Sequence, residues 1–383
     1  MNADASFPLA EYAAQHWVIH AHSSSKTKSQ SSLIFALMMN LLTEESGVFV
    51  NWVQLCFIHD FYDFELRKAS TGGCEAIAKH PQEKVADLNL KGGYLRNALQ
   101  VASNGGHETI AKLLIEKGAN VNAQEGEYGN ALQAASYRGH EGIAKLLIEK
   151  GAYVNAQGGR YGNALQAASY EGHEAIAKLL IEKGADVDAQ GGRYGNALQA
   201  ASNKGHEAIA KLLIEKGANV NAQGGFFGNA LQAVSSRGHE AIAELLIKKG
   251  ADVNAQGRYH GNALQAASNG GHETIAKLLI EKGAYVNTKR GYYGNALQAA
   301  AHGGHKAITM LLIEKGADVN AQGGYYGNAL QAASSGGHKV IVKLLIGKGA
   351  DVNAQGGDGN ALQAVSDAGH EAITTLLIAR GHI

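Results

Sequence analysis

From residue 97 onward, apolar and polar positions alternate between two helical patterns. Leu132, Ala134 and Ala135 lie in a thin, alanine-rich stretch, whereas Ile143, Leu146 and Leu147 form an i, i+3, i+4 stripe of larger side chains. Such a stripe predicts an amphipathic helix with one buried side. Glu141 and Lys145, four apart, then belong to its solvated face, and Lys150 favours its C-terminus. Gly151 supplies the left-handed residue that ends it. After Val154-Asn155-Ala156 comes a glycine-rich segment, read as a projecting hairpin because glycine allows the positive φ of tight turns. Each unit is thus a thin helix, a thick helix and a hairpin. Stacked wedges of this kind predict a curved array with the thin helices inside.

The pattern is periodic. The asparagine of Asn-Ala-Leu-Gln stands at 97, 130, 163, 196, 229, 262, 295 and 328, always 33 apart, and then at 360, one residue short. A period of this size predicts an all-α repeat, a solenoid of helix-turn-helix units. A damaged unit is expected at 64–96, because Ala69-Ser70-Thr71-Gly72-Gly73-Cys74 precedes Ala102-Ser103-Asn104-Gly105-Gly106-His107 by 33. Phe64 and Cys74 take the asparagine and histidine places there, and Pro81 is expected to break its second helix. Upstream, 1–22 reads as an amphipathic helical lead, 23–32 as a serine-rich linker and 33–63 as a helical segment. Residues 97–383 hold nine regular units.

Asn163 and Gln166 have the spacing of a capping box, in which cap and N3 side chains each accept from the other's backbone N–H. The histidines at 107, 140, 173, 206, 239, 272, 305, 338 and 370 are given a structural role near the start of the second helix. Zinc needs ligands within about 2 to 2.3 Å of one ion, and stacked units hold equivalent atoms about 8 to 10 Å apart. No metal site follows.

The unit N-A-L-Q-A-A-S-x-x-G-H-E-x-I-A-K-L-L-I-E-K-G-A-D-V-N-A resembles the ankyrin repeat over residues 97 to 383. It departs from that family at the helix start, where Asn-Ala-Leu-Gln replaces Thr-Pro-Leu-His, one polar pair in place of another. The string Phe7-Pro8-Leu9-Ala10-Glu11-Tyr12 running on to Ala21 is similar to the junction that joins a NACHT-type nucleotide-binding module to ankyrin repeats in large fungal sensors. No phosphate-binding Gly-x-x-x-x-Gly-Lys-Ser/Thr loop accompanies it. The resemblance implies a fungal, non-enzymatic recognition module that docks a protein partner. Its alternative is a stand-alone remnant of such a sensor with no active output.

Composition narrows the partner. Lysine plus arginine equals aspartate plus glutamate at 34 each, which leaves no basic footprint for nucleic acid or an anionic membrane. The most apolar run, Leu33 to Leu42, is ten residues, short of a span. No N-terminal segment has the layout of a secretory signal. Two cysteines, Cys56 and Cys74, make neither a disulfide framework nor a thiolate site and fit a reduced compartment, so the expected location is the cytoplasm, with the nucleus left open. No nucleophile, base and orienting group occur together outside the repeated frame, and no cofactor is expected.

Candidate partner-binding residues sit where the units differ. Tyr128, Tyr161, Tyr194, Phe227, Tyr293 and Tyr326 close the hairpins, with Tyr259-His260 in the sixth unit and Asp358 in the ninth. They are either an aromatic ladder along a groove or rings packed on the neighbouring hairpin. At the end of the thin helix stand Tyr137, Arg138, Tyr170, Glu171, Lys204 and Arg237, where specificity could reside.

Overall fold

The computed structural model describes residues 97–381, apart from Glu125, Arg258, His260, Gly357 and Asp358. The readings placed on 1–22, 23–32, 33–63 and 64–96, and on His260 and Asp358, lie outside the described residues. Among the described residues there are eighteen helices and no strands. They form nine pairs, from α1 (Ala98–Gly105) with α2 (Glu108–Glu116) to α17 (Ala361–Ala368) with α18 (Glu371–Gly381). Odd-numbered helices are the thin inner ones and even-numbered helices the outer ones. Each inner helix packs on the inner helices before and after it and on its own outer helix.

The third pair, α5 (Ala164–Glu171) and α6 (Glu174–Glu182), shows why the sequence folds this way. Ala164, Ala167 and Ala168 are at most 1 % exposed, and side chains this small let neighbouring inner helices approach closely. Ile176 and Leu180 fill the space between helix layers at 1 % and 0 % exposure. Truncating either to alanine would open a cavity costing about 2 to 5 kcal/mol. Glu174 and Lys178 pair at 2.6 Å on the solvated side of α6.

The helix start is closed as the spacing predicts. Asn163 Oδ1 accepts from Gln166 N–H at 2.8 Å, and Gln166 Oε1 accepts from Asn163 N–H at 2.7 Å. The same reciprocal pair closes at Asn196, Asn229, Asn262, Asn295 and Asn328. Gly162 precedes the cap at φ 94°, and a Cβ there would collide with Gln166 Oε1, so two constraints fix this glycine.

The glutamine does more than cap. Its Nε2 donates to Ala189 O at 2.9 Å and Gly195 O at 2.7 Å, both in the hairpin that joins α6 to the next inner helix. Gln199, Gln232, Gln265 and Gln298 bind the following hairpin in the same way. The histidine reaches in the opposite direction. His173 Nε2 lies 3.0 Å from Tyr137 O and His206 Nε2 3.0 Å from Tyr170 O, each on the unit before. A carbonyl only accepts, so Nε2 carries the proton and donates. The ring of His206 rests where a Cβ on Gly172 would be, which couples the Gly of one unit to the His of the next.

A second inter-unit bond comes from the asparagine of Val-Asn-Ala. Asn155 Oδ1 accepts from Asp186 N–H at 2.8 Å while its Nδ2 donates to Gly184 O at 2.9 Å. Asn122, Asn221, Asn254, Asn287 and Asn320 repeat both bonds. Asp188 occupies this place in the third unit. Its Oδ1 still accepts from Asn219 N–H at 2.8 Å, but a carboxylate has no proton to offer Gly217 O. Replacing Asp188→Asn should therefore raise stability by about 0.5 to 1.5 kcal/mol, the net worth of one hydrogen bond. Urea unfolding measures it; an unchanged or lower midpoint would contradict the missing-donor account.

Candidate partner-binding face

The hairpin and the end of the inner helix meet on one face, and the variable residues gather there. Tyr161 and Tyr194 are 5 % and 8 % exposed and stand 6.4 Å apart, their planes 18° from parallel. Tyr170, from the last turn of α5, packs against both, 5.5 Å from Tyr161 and 4.3 Å from Tyr194. Tyr137 does the same between Tyr128 and Tyr161, at 5.2 and 4.6 Å. Towards the C-terminal end, His302 lies between Tyr293 and Tyr326 at 5.7 and 4.3 Å. Asn203 fills the corresponding place between the third and fourth units and is 5 % exposed.

These contacts give each predicted residue a definite environment. Tyr161, Tyr194 and Phe227 are buried in the packing of neighbouring units, and Tyr128, Tyr137, Tyr170, Glu171, Tyr293 and Tyr326 are half-buried. Arg138, Lys204 and Arg237 are exposed. Each rests a cation on a ring: Arg138 5.4 Å from the Tyr137 centroid, Lys204 4.4 Å from Tyr170, Arg237 5.4 Å from Phe227. Arg138 and Arg237 also donate to Asn104 Oδ1 at 2.9 Å and Asn203 Oδ1 at 3.1 Å in the preceding unit. The long cations are thereby held at fixed places along the face.

Tyr259 sits apart from the inner row. It shares its place in the unit with Phe226, Tyr292 and Tyr325, one residue ahead of Phe227, Tyr293 and Tyr326. This second row is at the hairpin tip, and Arg160 and Arg193 continue it. Sequence reading missed Arg160, Arg193, Phe226, Tyr292 and Tyr325 there. The signal was the doublets Phe226-Phe227, Tyr292-Tyr293 and Tyr325-Tyr326, whose rings meet edge to face at 5.1, 5.2 and 5.0 Å.

Burial raises the phenol of Tyr194 to about 12, with a hydrogen bond to Tyr170 as the next cause. Tyr161 and Tyr326 are pushed up by burial as well. All three stay neutral, as buried rings in a packed stack should. His302 moves the other way, below its ordinary 6.5, because burial disfavours the imidazolium, with His338 adding repulsion. Its Nε2 is 3.1 Å from Tyr326 Oη. Among the described residues, no three His, Cys, Asp or Glu side chains are placed to hold a metal ion.

The family described as "Ankyrin repeats (3 copies)" matches residues 68–158, 157–224, 198–290 and 291–356. The chain belongs to the ankyrin-repeat family. A search of curated proteins finds no match. Among solved structures, the chain is similar to the human ASB11 ankyrin repeat domain, at 25% identity and a TM-score of 0.50, over 58% of this chain and 99% of that one. The likeness supports the ankyrin solenoid, a fold used as a protein-interaction scaffold.

His302 offers a test of how the face is packed. A histidine whose folded pKa is depressed contributes stability above its unfolded pKa and loses it as pH falls. His302→Tyr, which restores the ring found at Tyr137 and Tyr170, should flatten the fall in unfolding free energy between about pH 7 and pH 5 relative to the parent. Parallel curves for the two proteins would show that His302 is not buried in this stack.

Proposed function

We propose that this chain is a non-enzymatic scaffold that docks a protein partner on the face formed by its hairpins and inner-helix ends. One observation carries the reading. The units are almost identical where the frame is built, and at the hairpin ends and last turns of the inner helices, where they differ, the side chains meet on one face. Tyr137 touches the rings of two hairpins, Lys204 covers Tyr170, and Arg237 covers Phe227. Inside the frame, the asparagine, glutamine and histidine that first suggest chemistry are occupied with backbone groups. They are buried or half-buried parts of the frame, and these bonds serve to hold it together.

The likeness of residues 7–21 to the junction in fungal NACHT and ankyrin sensors supports a setting for this face, the recognition part of such a cytosolic sensor. Rigid aromatic surfaces with fixed cations suit protein recognition, because little side-chain freedom is lost on binding.

Selecting binders from a displayed library of small protein domains against the immobilised chain tests the reading. Reversal of Arg138, Lys204 and Arg237 to glutamate together should weaken most selected binders by about tenfold or more. Binders that ignore this change but are lost when the outer-helix residues Lys145, Lys178 and Lys211 are reversed would place the interface on the other side.

A further inference from the structure

The hairpin tips carry a surface that the frame does not require. One residue per unit stands there, in the row Arg160, Arg193, Phe226, Tyr259, Tyr292, Tyr325. Backbone bonds tie the row together: Arg193 N–H donates to Arg160 O at 3.0 Å, Phe226 to Arg193 at 3.0 Å, Tyr292 to Tyr259 at 3.0 Å and Tyr325 to Tyr292 at 2.9 Å. Such bonds are indifferent to the side chain. Yet four consecutive tips are aromatic, with Phe226, Tyr259 and Tyr325 exposed at 46 %, 42 % and 56 %. Their centroids are 6.0, 5.4 and 5.0 Å apart, with planes within 27° of parallel. A scattered exposed ring needs no explanation, but a contiguous stack of them along one edge does.

Stacking decides what this edge can bind. The rings cover each other's faces, so a visitor meets ring edges, the positive side of the aromatic quadrupole. Three of the four also carry a phenolic O–H donor. Beyond Phe226 the stack passes into cations, with the Arg193 guanidinium 5.8 Å from its centroid and Arg160 following. Across the tips and inner-helix ends of residues 127–237 stand Arg138, Arg160, Arg193, Lys204 and Arg237 against only Glu127 and Glu171. Glu127 is already paired with Arg160 at 3.2 Å. In a chain whose charges balance overall, this face is locally basic. Ring edges, hydroxyls and guanidinium groups all seek electron-rich acceptors.

We propose that the tip row is a docking strip for an acidic, extended polypeptide segment. Its carboxylates lie over Arg193 and Lys204, and its backbone carbonyls meet the tyrosine edge. The proposal rests on the hairpin face being the binding face and names the chemistry of what it binds. An extended chain advances about 3.3 Å per residue, so side chains on one side recur every ~6.6 Å, within about 2 Å of the 5.0 to 6.0 Å between stacked tips. Single-stranded nucleic acid fits less well, since its bases need open ring faces and the stack has used them.

Fluorescence anisotropy with three labelled probes tests this: a peptide alternating glutamate with threonine, one alternating lysine with threonine, and an oligothymidylate of similar length. The glutamate peptide should bind about tenfold or more tighter than the lysine peptide. Arg193→Glu with Lys204→Glu should reverse that preference, a gain that misfolding cannot mimic. Tyr292→Ala with Tyr325→Ala should weaken the glutamate peptide several-fold, whereas Tyr153→Ala with Tyr285→Ala, in loops after outer helices, should not. Equal binding of the two peptides, tightest binding of the oligothymidylate, or a preference untouched by the charge reversal would each overturn the strip. If library binders still depend on Arg138, Lys204 and Arg237 in that event, the strip falls and the scaffold reading stands.

Discussion

Everything in this molecule leans on the buried glutamine amide. Gln166 is 2 % exposed, yet every polar atom of its side chain has a partner: Oε1 takes the N–H of its own helix cap, and Nε2 gives its protons to the next hairpin. One side chain thus closes a helix start and fastens the hairpin that leads into the next unit. An unpartnered buried amide would cost about 1 to 3 kcal/mol, so a unit whose hairpin comes loose exposes or orphans this group. Repeats that would be marginal alone become a cooperative array, because the hairpin that holds the glutamine of one unit runs directly into the helix start of the next.

The histidine and asparagine ladders add to the same logic from other sides. His206 donates backwards to Tyr170 O, and Asn155 bridges forwards to Asp186 and Gly184. All three ladders use backbone carbonyls and N–H groups as partners. The surface residues are therefore relieved of holding the stack, and the hairpin tips and helix ends can vary without loosening it. That division is what makes a binding face of variable composition compatible with a constant frame.

Much of this was legible in the sequence. The 33-residue step announced the solenoid, and Asn-x-x-Gln announced the cap, because a box needs only local spacing. The second use of glutamine was not legible, since its acceptors are carbonyls 23 and 29 residues away and a backbone group leaves no letter in the sequence. The histidine was placed near the second helix as expected, but its bond to the preceding unit spans 36 residues and was equally silent. At the hairpins, sequence reading grouped Tyr259 with Phe227 and Tyr293 because all precede a glycine closely. Adjacent residues at a turn point to different sides, so the one-residue offset put Tyr259 at the tip with Phe226 and Tyr292.

The dual role of the glutamine is open to a direct measurement. Gln166→Glu keeps the shape and the acceptor that completes the cap but removes the donors to Ala189 O and Gly195 O. The account predicts a loss of about 2 kcal/mol or more at pH 7 relative to the parent, with faster amide exchange across Ala189 to Gly195. The relative loss should shrink as pH falls, because a protonated carboxyl, favoured by burial, regains one donor. Stability and exchange unchanged at pH 7 would show that the cap alone matters, and that the hairpin is held without the glutamine amide.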